Sequence, residues 1–148
     1  MRRTVSHGLI CGIVLLFCAT LVPSRVYSQD KPEIQAQKAG EAWLALVDAG
    51  KYGESWDTAS QSFKAALSRA AWVKQVAAAR KPVGKLISRQ LIKSDLIKDP
   101  PNSPPGQYVG IQYKSSFQNL NSAVETVVPM LDKDGKWRVS GYIVKKAG

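Results

Sequence analysis

The stretch Val124-Glu-Thr-Val-Val-Pro-Met-Leu131-Asp-Lys-Asp-Gly135-Lys-Trp137-Arg-Val-Ser-Gly-Tyr-Ile-Val144 decides the fold class of this chain. Two segments rich in β-branched and aromatic residues flank Asp132-Lys133-Asp134-Gly135. Asp-Gly supplies the positive backbone angles of a tight turn, so the stretch predicts a β-hairpin. Upstream, Tyr108 to Phe117 alternates, with Val109, Ile111, Tyr113, Ser115 and Phe117 on one face. The paired apolar residues Leu86-Ile87 and Leu91-Ile92 predict a further strand. Between these two strands lies Asp99-Pro-Pro-Asn-Ser-Pro-Pro-Gly106. Its prolines predict a stiff, extended connection, with a proline-rich ligand for some partner as the alternative reading.

Before Val83 the apolar period is helical. Asp30 with Glu33 three residues later, and Pro32 in the first turn, is a helix-start signal. Ala39, Ala42, Trp43, Leu46 and Val47 then give one buried stripe to about Ala49, where Gly50 can close the helix. A short second helix is predicted over about Tyr52 to Ala59, followed by a helical turn carrying Phe63 and Leu67. Ser68 caps a third helix, whose stripe is Trp72, Val73, Val76 and Ala79. That helix ends near Arg80, because Pro82 disfavours a helical Lys81. Helices first and antiparallel strands afterwards is an α+β pattern: about three N-terminal helices packed on a curved four-stranded antiparallel sheet.

Residues 1–28 read as a secretory signal peptide. Arg2 and Arg3 start it, Leu9 to Val22 is an uncharged apolar run, Pro23 breaks that run, and Val26-Tyr27-Ser28 offers a cleavage site ahead of Gln29. The run is shorter than the roughly 20 residues a spanning helix needs, so cleavage is favoured over a retained anchor. Lipidation would need a small residue before the cysteine, whereas Phe17 precedes Cys18 and Ile10 precedes Cys11. The expected address is exported, periplasmic or secreted, with no transmembrane anchor after cleavage. Removing the segment takes Cys11, Cys18 and His7, the chain's only cysteines and its only histidine. Residues 29–148 have the length of a single α+β domain that holds itself together by packing rather than by disulfides.

Taking Arg2, Arg3 and Arg25 from the chain's net charge of +10 leaves +7. Thr58 to Ser94 carries Lys64, Arg69, Lys74, Arg80, Lys81, Lys85, Arg89 and Lys93 and no acid. A one-signed segment is a candidate contact for anionic envelope components, through Lys64, Lys74, Lys81 and Lys85, or simply a solvated face. Nucleic acid is not expected, because binders of single strands combine such charge with exposed aromatics. Here the basic stretch holds only Phe63 and Trp72, both expected inside.

The run Asp48-Ala-Gly-Lys-Tyr52-Gly-Glu-Ser-Trp56-Asp57, then Trp72, Arg80-Lys-Pro82-Val-Gly84, Ser88-Arg89, Gly106-Gln-Tyr108-Val, Val124-Glu125-Thr126 and Asp134-Gly-Lys-Trp137-Arg138-Val-Ser-Gly141-Tyr142 resembles a family of exported bacterial proteins catalogued as domain of unknown function 4019. The resemblance spans nearly all of the chain after the signal peptide. In the connecting loop the chain departs from it, with Pro-Asn-Ser-Pro-Pro-Gly at residues 101–106. It implies an exported address and a fold similar to the cystatin or nuclear-transport-factor-like cone, and it implies no activity.

The residue types limit the chemistry. A zinc site or a histidine-based triad has no ligands or base after cleavage, Asp132-Lys133-Asp134-Gly135 has too few oxygens for calcium, and no glycine-rich phosphate loop occurs, so no cofactor is expected. A carboxylate base remains. Glu125 sits in a run that is otherwise apolar or small, which points it between sheet and helices. Arg80 lies in nearly the same helical direction as Val73 and Val76, and Arg89 is a second cation near by, so a structural ion pair, a ligand-binding pair and a catalytic group are all open at Glu125. Tyr142 would line the same cavity. The leading expectation is a small non-catalytic binding or accessory domain with a basic face, partnered by anionic envelope components or an unidentified protein. The alternative is a pocket enzyme or small-molecule carrier using Glu125.

Overall fold

The structure, a computed structural model, describes residues 31–148. The predicted signal peptide, its cleavage site and Asp30 lie outside the described residues. Helix α1 spans Pro32–Asp48, α2 Tyr52–Asp57, α3 Gln61–Ala66 and α4 Arg69–Arg80. Strands β1 Leu86–Lys98, β2 Gln107–Phe117, β3 Leu120–Leu131 and β4 Trp137–Lys146 follow. The class is α+β, with the helices preceding an open antiparallel meander in the order β1-β2-β3-β4.

Four helices form where about three were expected. The Phe63 turn is a helix of its own because Ser60 caps it, the hydroxyl accepting from the Phe63 amide at 3.2 Å. Ser68 does the same for α4 at the Ala71 amide, and α4 ends at Arg80 as expected, but not for the expected reason: Lys81 keeps helical angles, φ −58° and ψ −46°, despite Pro82 after it. Helix α1 begins with Lys31 at its N-cap, without a side-chain cap, and Pro32 in its first turn.

The predicted face of β2 is borne out: Val109, Ile111, Tyr113, Ser115 and Phe117 are all buried. The helical stripes need correction. In α1 the buried residues are Ala36, Gly40, Trp43, Leu44 and Val47, while Ala42 is exposed. Counting hydrophobic residues passes over Gly40, which is buried over Ile111, Val127 and Pro129, where a Cβ would find ordinary van der Waals contacts at 3.4 to 3.5 Å. In α4 the buried face is Trp72, Val76 and Arg80, so a charged residue takes the place expected for Ala79.

Helix α1 lies against all four strands, α2 packs on α4, and α3 reaches β4. Trp43 and Trp72 are 5.5 Å apart between ring centroids, with Phe63 and Tyr142 completing the cluster. Both indoles are satisfied by Ser55: Trp43 donates to its carbonyl at 2.7 Å and Trp72 to its hydroxyl at 2.9 Å. A buried serine thereby fixes the two largest core side chains.

Two connections differ from expectation. The loop Asp99–Gly106 is turned rather than extended, with Asp99 and Asn102 in the left-handed region at φ 48° and 59°. The Asp99 amide donates to the Gly106 carbonyl at 2.9 Å and closes it. Aspartate and asparagine tolerate that region better than other side chains, and this outweighs the extended bias of the prolines between them. In the β3–β4 hairpin only Gly135 takes a positive φ, 76°, and residues 132–136 form a longer turn closed from the Asp132 amide to the Lys136 carbonyl. Pro129 falls where the β3–β4 register steps, the place where a strand tolerates a missing donor.

Candidate functional site

Helix α1 ends on Asp48 and α4 on Arg80, and both ends meet the inner face of the sheet. There, cross-strand register puts Arg89 opposite Ser115 and Glu125 opposite Tyr113 and Val144. Alternation along β3 sends Glu125 inward with its neighbours Ala123 and Val127. It is fully buried, as the sequence suggested.

Glu125 accepts four hydrogen bonds. Oε2 takes Arg89 Nε at 2.7 Å and the Ser115 hydroxyl at 2.6 Å. Oε1 takes the Tyr142 hydroxyl at 2.6 Å and Arg80 Nη1 at 3.4 Å. Both arginines continue to Asp48: Arg80 Nη2 at 2.9 Å, and Arg89 through Nη1 and Nη2 at 2.7 and 3.1 Å. Two carboxylates and two guanidinium groups form one neutral network, drawing one side chain each from α1, α4, β1, β2, β3 and β4.

The surroundings explain the ionisation. Burial by itself would lower the Arg89 pKa, but its hydrogen bonds to Asp48 and Glu125 outweigh that and hold the guanidinium above its ordinary value. The Tyr142 phenol is pushed up, first by burial and then by the Glu125 charge, with Arg80 opposing. Arg80 stacks over Phe117 at 4.7 Å, and Arg89 lies 5.9 Å over Tyr113. Burial pushes the Tyr113 phenol up to about 12, and its hydroxyl finds no hydrogen-bond partner.

The structure thus brings Glu125, Arg80, Arg89 and Tyr142 together. Reasoning from sequence missed Asp48 and Ser115. Ser115 was the detectable one, the single small polar side chain on the strand face formed otherwise by Val109, Ile111, Tyr113 and Phe117. Asp48, as the last residue of α1, carried no such signal.

A hollow of about 330 Å³ beside the network is lined by Asp48, Tyr52, Arg80, Lys81, Lys85 and Gln118, and reaches neither Glu125 nor Tyr142. Another of about 590 Å³ lies elsewhere, between α3 and the Asp99–Gly106 loop, with Phe63, Leu67, Pro104 and Tyr108 in its walls.

Four of the eight cations of the basic segment are paired: Arg69 with Asp57, Arg80 and Arg89 with Asp48 and Glu125, and Lys93 with Asp95. Among the described residues, Lys64, Lys74, Lys81 and Lys85 have no carboxylate partner. Lys81 and Lys85 share a hollow. Lys74 is exposed on α4. Lys64 lies apart on α3, half-buried, with its ammonium on the Asp57 carbonyl and over the Trp56 ring.

The family model described as "Protein of unknown function (DUF4019)" matches residues 39–142, and the chain belongs to that family. The matched stretch contains every member of the network, from Asp48 to Tyr142. No curated protein matches the chain.

Proposed function

We propose that this protein is a small exported, periplasmic or secreted, non-catalytic binding or accessory domain whose basic surface contacts anionic envelope components. A cystatin-like or nuclear-transport-factor-like cone is the fold this reading adopts, supported by α1 lying against all four strands. The observation that carries the proposal is the saturation of Glu125. An ionised carboxylate offers about four lone-pair sites, and here four donors occupy them, so the one buried acid of the inner face has no site left for a substrate proton. Its charge holds elements together. What is left for an external partner is the surface, and the lysines without a carboxylate are its main chemical feature.

The experiment is sedimentation with anionic vesicles over a salt series. Wild-type protein is expected to bind at low salt and to weaken as the Debye length falls to about 8 Å near physiological ionic strength. Replacing Lys64, Lys74, Lys81 and Lys85 together by glutamine should remove that low-salt recruitment while leaving the thermal midpoint nearly unchanged. Wild-type protein that stays in the supernatant at low salt would reduce the charge to a solubility device.

A further inference from the structure

Six large apolar side chains are exposed among the described residues, and five of them lie on the two outer strands of the sheet: Ile87, Leu91, Ile92 and Ile97 on β1, and Ile143 on β4. Their exposure runs from 41% for Ile97 to 67% for Ile87, so these residues are not the margin of a packed core. Single exposed apolar residues are ordinary, but four lie along this one outer strand: Ile87 and Ile92 at its two bulges, Leu91 opposite Tyr113 and Ile97 opposite Tyr108. Cations interleave them, with Lys85 before Ile87, Lys93 after Ile92 and Lys98 after Ile97. The register extends the same chemistry across the outer face of the sheet. Lys93 stands in one cross-strand row with Gln112, Thr126 and Ile143, and Lys114 in the next with Val124 and Lys145. The acid on that face, Asp95, is held by Lys93 at 3.2 Å.

Two occupants suit an outer strand with exposed isoleucines: the same strand of a second copy, or an interface between water and lipid. A second copy is disfavoured on two counts. Strand β1 is bulged twice, between Leu86 and Ser88 and between Leu91 and Lys93, which bends the edge that would have to pair. In an antiparallel pair centred on the strand, Lys85 of one copy would also meet Lys98 of the other. Neither objection applies to an anionic bilayer. There lysines reach phosphate headgroups while their stems and the isoleucines enter the acyl boundary, and no backbone ladder is required.

We infer that β1 and the adjoining outer face of the sheet seat the protein on an anionic phospholipid surface, with Ile87, Ile92 and Ile97 as the apolar contact. This rests on the anionic-surface reading and adds to it a short-range component that salt does not screen. Lysines bring the protein to the surface; isoleucines keep it there.

The test uses vesicles of equimolar phosphatidylglycerol and phosphatidylcholine and a variant carrying Ile87→Ser, Ile92→Ser and Ile97→Ser, whose charge is unchanged. At about 1 M salt, where the Debye length is near 3 Å, wild-type protein should keep a bound fraction. The variant's partition coefficient should fall at least about tenfold there, as expected when partly inserted isoleucines are lost. At low salt both proteins should still bind. Complete release of wild-type protein at high salt overturns the inference and leaves the anionic-surface reading standing, as does a variant that partitions like wild type. No binding of wild-type protein even at low salt overturns both. A concentration-dependent dimer in analytical ultracentrifugation that the serine variant dissolves would assign the patch to a second copy and overturn the lipid assignment.

Discussion

At Glu125 the side chain is buried, charged and satisfied on all sides, and the consequences of touching it follow from which partner is left behind. Glu125→Gln keeps the shape but removes the charge that Arg89 Nε and Arg80 Nη1 face, leaving cationic groups in a low-dielectric site. Removing one partner of a buried pair costs about 3–5 kcal/mol. Denaturant midpoints should show a loss of that size, and a wild-type midpoint would mean the network does not hold the fold. Tyr113 is the opposite case. Its buried hydroxyl is unpartnered, so Tyr113→Phe should be neutral or stabilising, within about 1 kcal/mol, because no hydrogen bond is lost and the ring under Arg89 remains. A larger loss would mean that the hydroxyl is bonded in solution. The same desolvation should delay its ionisation to about pH 12, read from tyrosinate absorbance in alkali. Glu125 and Arg80 were legible before any coordinates, since a charge on an apolar strand and an arginine on an apolar helical stripe each need a partner. Asp48 was not legible, because the distance that brings the end of α1 to Arg89 exists only once the helix is laid on the sheet.

Among the elements, strands were easier to read than helix faces, and the reason is geometric. A strand shows one side every second residue, so β2 declares its inner face by composition alone. A helix shows its buried side less regularly, and in α1 that side includes Ala36 and Gly40, small residues outside the stripe of Ala39, Ala42, Trp43, Leu46 and Val47. The β3–β4 hairpin gives a test at this scale. Arg138 donates from Nη1 and Nη2 to the two oxygens of Asp134 at 2.8 Å each, and that contact first of all holds the Asp134 carboxyl down at about 2. A carboxylate depressed in the folded state contributes stability above its unfolded value of about 3.9 and loses it as pH falls through its folded value. Thermal melts of wild type and Asp134→Asn should therefore differ at neutral pH and converge as pH drops from about 4 to 2. Curves that stay apart at pH 2 would mean that the turn is held by something other than this pair. Asp134 is half exposed and Arg138 partly so, so the difference should be small and should shrink further in salt.

For the whole molecule, the network works as an interlock. Because α1, α4 and each of the four strands supply one member, none of these six elements can lift away without stranding a charge or a hydroxyl belonging to another. Sub-global openings of the kind that let one hairpin or one helix breathe are thereby made nearly as unfavourable as complete unfolding. Amide exchange in the buried parts of α1, α4 and β1 to β4 should accordingly report one common opening free energy rather than a ladder of them. Glu125→Gln should lower that value everywhere at once. Protection lost in β3 alone, with α1 and α4 unchanged, would break the interlock into independent contacts. A chain that cannot open piecemeal presents little cleavable backbone outside its loops, so limited proteolysis should enter at Asp99–Gly106 or residues 132–136 and otherwise wait for the entire domain to come apart.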